Sequence, residues 1–339
     1  MKKNNSKKLT KYSKRVLEEI KATNEIAKYT SIYEAGVTFI AKIGIQISIR
    51  NNYIETARLR KILTKKHNIM LCYFKKMFEQ FEKTYDYEKK PKVNNPAFKN
   101  KIWVCWWQGI DNAPEIVKAC IKAVQKCVPE NTVIIITEDN YKKYIEVPEW
   151  IEKKRRKGDI SKTHFSDILR MMLLSEHGGM WLDSTTFCLN NDITKYMKLP
   201  IWSIKRPDYA HLSVARGGFA NYALACDYDH RWVFTIIRDY LLHYWMNNSI
   251  LIDYLFLDYI IVLVQEKDDR IKQLFSDIEP NNPNNDMLLN SLKDIYNKKK
   301  WQIIKQDTDM FKLTWKEEYP KQVGGMDTFY GKLLKGELS

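Results

Sequence analysis

The sequence predicts an α/β domain, a sheet flanked by helices, with a helical N-terminal region ahead of it. Three observations predict it. Two apolar runs of strand length, IWVCWW from Ile102 and TVIIIT from Thr132 to Thr137, bracket a stretch of helical periodicity, which is the pattern of a βαβ unit. A third run, Met180 to Leu182, follows a helical stretch and a Gly-Gly break. Before residue 84, by contrast, glycine and proline are scarce and apolar residues fall three and four apart.

A basic leader opens the chain and is expected to lack regular structure. Residues from about Lys14 to Lys83 read as helices, with Met70, Phe74, Met77 and Phe81 on one stripe. From Asp86 to Lys101 the composition turns charged, with asparagine and proline. A boundary is therefore expected there, between a leader and helical region over 1–97 and an α/β domain over 98–339. After IWVCWW comes a loop, QGIDNA, and then Pro114 just inside a helix marked by Ile116, Cys120, Ile121 and Val124. TVIIIT needs burial on both faces. Such a crossover is right-handed and its strands are parallel, and ligands collect beyond the carboxyl ends of parallel strands. The turn after Trp107 and the tip at Asp183 are thus expected at one edge.

The stretch from Ser161 to Phe187, SKTHFSDILRMMLLSEHGGMWLDSTTF, is central. Phe165, Ile168, Leu169, Met172 and Leu173 recur at helical spacing, with Ser161 near the start. Gly178 and Gly179 end the helix; Met180, Trp181 and Leu182 then carry Asp183 to a strand end, followed by the polar tip Ser184 and Thr185. Farther on, Ile201–Ile204 reads as a strand, Ala225–Met246 and Ile250–Gln265 as helices, and Asn281–Asn285 as a loop. MFKLTWK precedes a tail, KQVGGMDTFYGK, that either folds over the site or frays.

At 45% hydrophobic and 29% charged residues the composition is that of a globular protein, not a disordered one. Aromatic residues, 13% of the chain, suit stacking on sugar rings or nucleobases and suit core packing equally. The formal net charge of +15 calls for an anionic partner. It is clustered at Lys2, Lys3, Lys7, Lys8, Lys11, Lys14 and Arg15, again at Arg58, Arg60, Lys61, Lys65 and Lys66, and again over Lys153–Lys157. These clusters are either solvated faces or a contact with an anionic membrane surface; no DNA- or RNA-binding motif accompanies them, so nucleic acid is not an expected partner. The six cysteines have no zinc or CxxC spacing and read as small buried hydrophobes in a reducing compartment. With no secretory signal pattern, and with Asp253 and Asp258 interrupting the apolar stretch Ile250–Val264, the expected location is cytoplasmic, or peripheral on the inner face of the cell membrane. GxSxG, HExxH and Walker-type loops are absent, which excludes serine hydrolases, zincins and P-loop enzymes; the six histidines lack metal-ligand spacing, and His177 reads as a turn residue.

Several residues carry chemistry. Asp167 and Arg170 lie opposite the apolar stripe of their helix. They are either a solvated i,i+3 pair or a face turned to a cleft shared with Asp183. Trp106 and Trp107 are either a wall for a nucleobase or core. Asp183 is either a turn former or the holder of a divalent cation that bridges phosphate oxygens. Lys312 would add positive charge. Asp253 and Asp258 are candidates for acceptor contacts, against a structural role in a helix. Together the set suits a nucleoside diphosphate sugar.

FSDILRMMLLSEHGGMWLDSTT resembles the capsular polysaccharide synthesis proteins, bacterial glycosyltransferases of GT-A fold. These are similar to the family of the yeast mannosyltransferase that initiates outer chains and, more distantly, to the clostridial glucosylating toxins. IWVCWWQGIDNAPEIVKACIKAV, LIDYLFLDYIIVL and FKLTWK also match that family's blocks, so the resemblance covers roughly residues 100 to 320. It implies a GT-A type, nucleotide-sugar-binding mixed sheet. The implied activity is transfer of a hexose, with retention, from a nucleotide sugar, a UDP-sugar first among donors. The acceptor would be a capsular or cell-surface glycan or a lipid-linked oligosaccharide. It places Trp107 or its neighbour Trp106 by the base, makes Asp167 and Arg170 the SD-x-x-R pair that holds the donor sugar, and makes Asp183 the first Asp of a DxD-like motif. Gly109, Gly179, Thr185 and Lys312 join the donor-binding set. The motif's second Asp is Thr185 here, and Phe311 stands where the family often has His, so the implied manganese or magnesium ion rests on Asp183 alone. The rival function is a non-catalytic scaffold on a membrane surface that binds an anionic glycan or a lipid-linked intermediate. A nucleotidyltransferase is disfavoured, because QGIDNAP is too poor in glycine for its phosphate loop.

Overall fold

The computed structural model describes residues 2–50, 55–92, 95–190 and 192–338, with the backbone alone for 2–15 and 47–50. The glycine-poor start forms three helices, α1 (Lys2–Tyr29), α2 (Ile32–Arg50) and α3 (Ala57–Thr84). The leader expected to lack regular structure is the first half of α1, and its basic side chains lie outside the described residues. Thr56 caps α3, its hydroxyl accepting from the Leu59 amide at 3.2 Å. Met70 and Phe74 of the predicted stripe are fully buried.

The α/β part runs β1 (Ile102–Cys105), α4 (Glu115–Lys126), β2 (Val133–Ile136), α5 (Glu149–Lys157), α6 (Lys162–His177), β3 (Gly179–Asp183), β4 (Thr186–Cys188), β5 (Trp202–Ser203), β6 (Ala223–Cys226), α7 (Arg231–Asn247) and α8 (Phe256–Lys267). It continues with α9 (Asp269–Ser276), α10 (Met287–Ser291), α11 (Lys298–Ile304), β7 (Met310–Lys312), β8 (Gln322–Val323), β9 (Met326–Asp327) and α12 (Phe329–Lys335). The five-stranded sheet has the order β2-β1-β3-β6-β5, parallel from β2 through β1 to β3 and antiparallel at β6 and β5. It is the α/β mixed sheet flanked by helices that the sequence predicts.

Side chains alternate across it with the period of a strand. Trp103, Trp181 and Leu224 enter one core, shared with α3, α6, α7 and α8, while Val104, Met180, Leu182 and Ala225 enter the other, shared with α4 and β7. Both faces are buried, which is why these strands read as unbroken apolar runs. Gly179 starts β3 at φ +83°, where a Cβ would lie 2.2 Å from the Lys101 carbonyl oxygen. Only glycine lets the strand begin so close to the chain entering β1.

Several expectations change. Trp106 and Trp107 leave the strand in a turn closed by the Gly109 amide on the Trp106 carbonyl at 3.1 Å. Ala225 and Cys226 belong to β6 rather than to a helix, and α7 begins only at Arg231. A four-residue apolar run fits either state, and pairing with β3 decides it. Residues 250–255 form a turn before α8, in which the Asp253 carboxylate accepts from the Leu255 amide at 3.0 Å. The tail neither frays nor lies loose: β8 and β9 pair, and α12 packs on α4. Lys66, counted among surface charges, is buried against Asp253. In the third basic cluster, Lys154 donates to the Asn248 carbonyl at 2.7 Å and Arg155 pairs with Glu138 and Glu152. Cys72 is exposed, against the expectation of burial.

Candidate active site

β1 and β3 run in parallel register, with Cys105 opposite Asp183, so the turn after Trp107 and the Asp183 tip open at one edge. Ser161 caps the start of α6, accepting from the His164 amide at 3.3 Å, and at its other end Gly178 and Gly179, both at positive φ, turn the chain back into β3 beside it. That return sets Arg170 over the strand. Its guanidinium Nη2 lies 3.2 Å from Asp183 Oδ1 and 3.3 Å from Asp167 Oδ1, and its plane sits 5.0 Å over the Trp181 ring. Arg170 is 4% exposed, so this is not a solvated pair. Its Nη1 donates to the Asn221 carbonyl at 2.6 Å.

The second cation comes from the far end of the chain. β4 pairs with β7 in antiparallel register, Thr186 opposite Lys312. The pairing brings Lys312 Nζ to 2.7 Å from Asp183 Oδ2 and 3.1 Å from the Thr185 hydroxyl. Trp181 Nε1 donates to Asp183 Oδ1 at 3.1 Å. Burial opposes charge on Asp183, but Lys312 and then Arg170 outweigh it and hold the carboxyl down to about 2.

Asp167, Arg170, Asp183, Thr185 and Lys312 thus meet at one place. The two tryptophans part. Trp107 stacks on Phe165 with centroids 5.3 Å apart, and its indole N–H donates to Ser166 at 3.1 Å. Trp106 meets Trp315 edge to face at 5.7 Å, and its buried Nε1 finds no hydrogen-bond partner among the described residues. The buried Nε of Arg170 is likewise unpartnered. Gly109 lies in the same turn as the tryptophans, with no atom within 4 Å of where a Cβ would sit. Gly179 is at the other end of β3, roughly 13 Å of strand from Asp183, where it serves the packing on Lys101.

Three neighbours have weaker signals in the sequence. Tyr222 accepts the Asp183 amide on its carbonyl at 2.9 Å and lies under Lys312, with Nζ 4.8 Å from its ring. Asn221 joins Arg170 to Asp258, donating to its carboxylate at 2.8 Å. Burial and the charge of Asp167 push the Asp258 carboxyl up to about 7. Of the two acids weighed as acceptor contacts, Asp258 borders the cluster and Asp253 is taken up by Lys66.

The divalent cation implied by the resemblance finds a poor shell. Both oxygens of Asp183 are engaged, one by Arg170 and Trp181 and the other by Lys312. Among the described residues no three His, Cys, Asp or Glu side chains gather into a cage made by the protein alone. An ion at this place would have Asp183 as its carboxylate and the phosphate oxygens of a bound donor for the rest of its shell.

Fold and site define an α/β protein with a cationic, carboxylate-centred cluster at the carboxyl edge of its parallel strands, the edge where open α/β sheets take their ligands. The chain belongs to the capsular polysaccharide synthesis protein family, whose model matches residues 50–333. The match takes in α3 together with the sheet. No curated protein and no solved structure matches the chain.

Proposed function

We propose that this protein is a glycosyltransferase. It moves a hexose from a nucleotide sugar, a UDP-sugar first among donors, to a growing capsular or cell-surface glycan with retention of configuration. The observation that carries the reading is the meeting of Arg170 and Lys312 on Asp183 at the ligand edge of the sheet. Two cations fixed there are preorganised for a diphosphate leaving group, and stabilisation of developing charge is the main work such a site does. Asp183 holds both cations in place. Trp106, whose N–H is unpartnered, is the better wall for the base, since Trp107 is already engaged by Phe165 and Ser166.

In the front-face route the bond from the sugar's anomeric carbon to the phosphate oxygen breaks as the acceptor oxygen bonds to that carbon on the same face. The acceptor's proton passes to the departing phosphate. No protein nucleophile is required. Asp183→Ala removes the carboxylate that Lys312 and Arg170 share, and a loss of about 3 to 4 kcal/mol of charge stabilisation slows donor hydrolysis and transfer roughly a hundred- to a thousandfold. Near-normal rates in a folded variant would reject the role. Calorimetry with UDP separates the rival, because a scaffold that only holds a glycan ignores the nucleotide.

A further inference from the structure

A surface helix ordinarily shows one apolar stripe, and a helix apolar all round belongs in a core or in lipid. α2 is apolar on both sides while lying at the surface. Ala35, Ala41 and Ile45 face the core, yet Ile32 is 86% exposed, Tyr33 69%, Ile40 67% and Ile43 45%. Leu17 and Ile20 of α1 are exposed as well.

Charge is the second observation. The first 84 residues hold nineteen lysines and arginines against seven acidic residues, so +12 of the +15 formal charge lies in this helical region. On α3, Arg58, Lys61 and Lys65 are exposed at helical spacing. Lys61 and Lys65 line a groove of about 690 Å³ that reaches Glu34 of α2. Lys65 Nζ lies 4.8 Å over the Tyr33 ring and 3.1 Å from its hydroxyl, which joins the basic row to the start of the apolar face. Of the acids nearby, Glu55 pairs with Arg60, and Glu34, which accepts from Ser31, leaves one negative charge against Arg58, Lys61 and Lys65. Among the described residues no helix is long and apolar enough to cross a membrane.

We propose that the outer face of α2 lies flat on the surface of an anionic bilayer, with Ile40 and Ile43 entering the headgroup boundary and Arg58, Lys61 and Lys65 on lipid phosphates. A second copy of the chain could cover an apolar face too, but it would bring +12 against +12; the charge decides for lipid. This inference does not rest on the sugar-transfer reading.

The test is co-sedimentation of the full chain with vesicles of phosphatidylcholine alone or with added phosphatidylglycerol. Each basic residue near such a surface adds about fivefold, so the three on α3 should favour anionic vesicles roughly a hundredfold, and high salt should erase the preference. Ile40→Ser with Ile43→Ser leaves the charge unchanged and should weaken partition roughly a hundredfold. Should that variant lose its helical circular dichroism, Lys61→Gln with Lys65→Gln reads the same surface, with an expected loss of about twenty-five-fold. Equal binding to both vesicles, binding to neither, or a dimer in light scattering that the serine variant dissolves would each overturn the proposal. Donor hydrolysis without vesicles, followed in parallel, reports on the sugar-transfer reading separately.

Discussion

Asp183 stays ionised although burial works against it, because Lys312 and Arg170 take its two oxygens. Lys312 reaches Asp183 and Thr185 as an ammonium on a four-carbon stem, whereas Arg170 is held in addition by Asn221 and Trp181. Hydrogen bonds to charged groups are worth about 1.5 to 3 kcal/mol. Lys312→Ala is therefore expected to slow donor hydrolysis roughly ten- to a hundredfold, with Lys312→Arg recovering part of it. Chelation by EDTA should leave the wild-type rate unchanged, since the cations here are side chains; a rate that collapses on chelation would return the charge role to a divalent ion. At this scale the sequence was informative where neighbours are local. Asp167, Arg170 and Asp183 lie within one stretch, and the helix period with the Gly-Gly turn brings them together. Which tryptophan is free was not legible, because it depends on Phe165, Ser166 and Trp315 as ring and hydrogen-bond partners.

Among the elements, α3 is held to the sheet domain by more than its apolar stripe. Lys66 Nζ lies 2.8 Å from Asp253 in the turn before α8, with the two side chains 2% and 3% exposed. Lys42 stands 3.9 Å from the same carboxylate. Breaking a buried pair strands a charge and costs about 3 to 5 kcal/mol, whereas replacing both partners with apolar groups is often neutral or better. Lys66→Met is thus expected to lower the urea midpoint strongly, and Lys66→Met with Asp253→Leu to recover much of the loss. Recovery should be incomplete, since Asp253 also accepts from the Leu255 amide. If both variants unfold at the same urea concentration, the pair is not what docks α3. Lys66 reads as one of a basic group in the sequence because its partner is remote along the chain, and nothing in local charge spacing separates an internal lysine from its exposed neighbours. β6 was hidden for a related reason: its apolar run acquires strand character only from pairing with β3.

Over the whole molecule the βαβ half of the sheet was legible from local pattern, while the antiparallel half and the β4–β7 clasp depend on contacts far apart in the chain. The same long-range packing sets the proton balance. His67 lies between the Tyr259 hydroxyl and the His211 carbonyl, and burial pushes its imidazole from 6.5 down to about 4. Burial also lowers His177 and His243. Asp258 is shifted the other way, from 3.8 up to about 7, by burial and by Asp167, with Asp253 adding to the rise and Asn221 and Arg170 opposing it. The signs follow from which state binds the proton. Below its ordinary 6.5 the unfolded chain protonates His67 while the folded chain refuses until about 4, so that stability is present above 6.5 and lost as pH falls toward 4. The folded chain keeps the Asp258 proton that the unfolded chain releases, so that stability is full below 3.8 and lost as pH rises toward 7. Asp183 and Asp253, both held down to about 2, stay ionised through this window and lose their contribution only as pH falls from 3.8 toward 2. Asp258→Asn deletes the opposing slope while its amide oxygen still accepts from Asn221. In urea titrations between pH 4 and 6.5 the variant's stability should climb more steeply than wild type, and its advantage should be largest above pH 7. A variant-to-wild-type difference that stays constant across the range would place the Asp258 carboxyl back among ordinary, ionised acids.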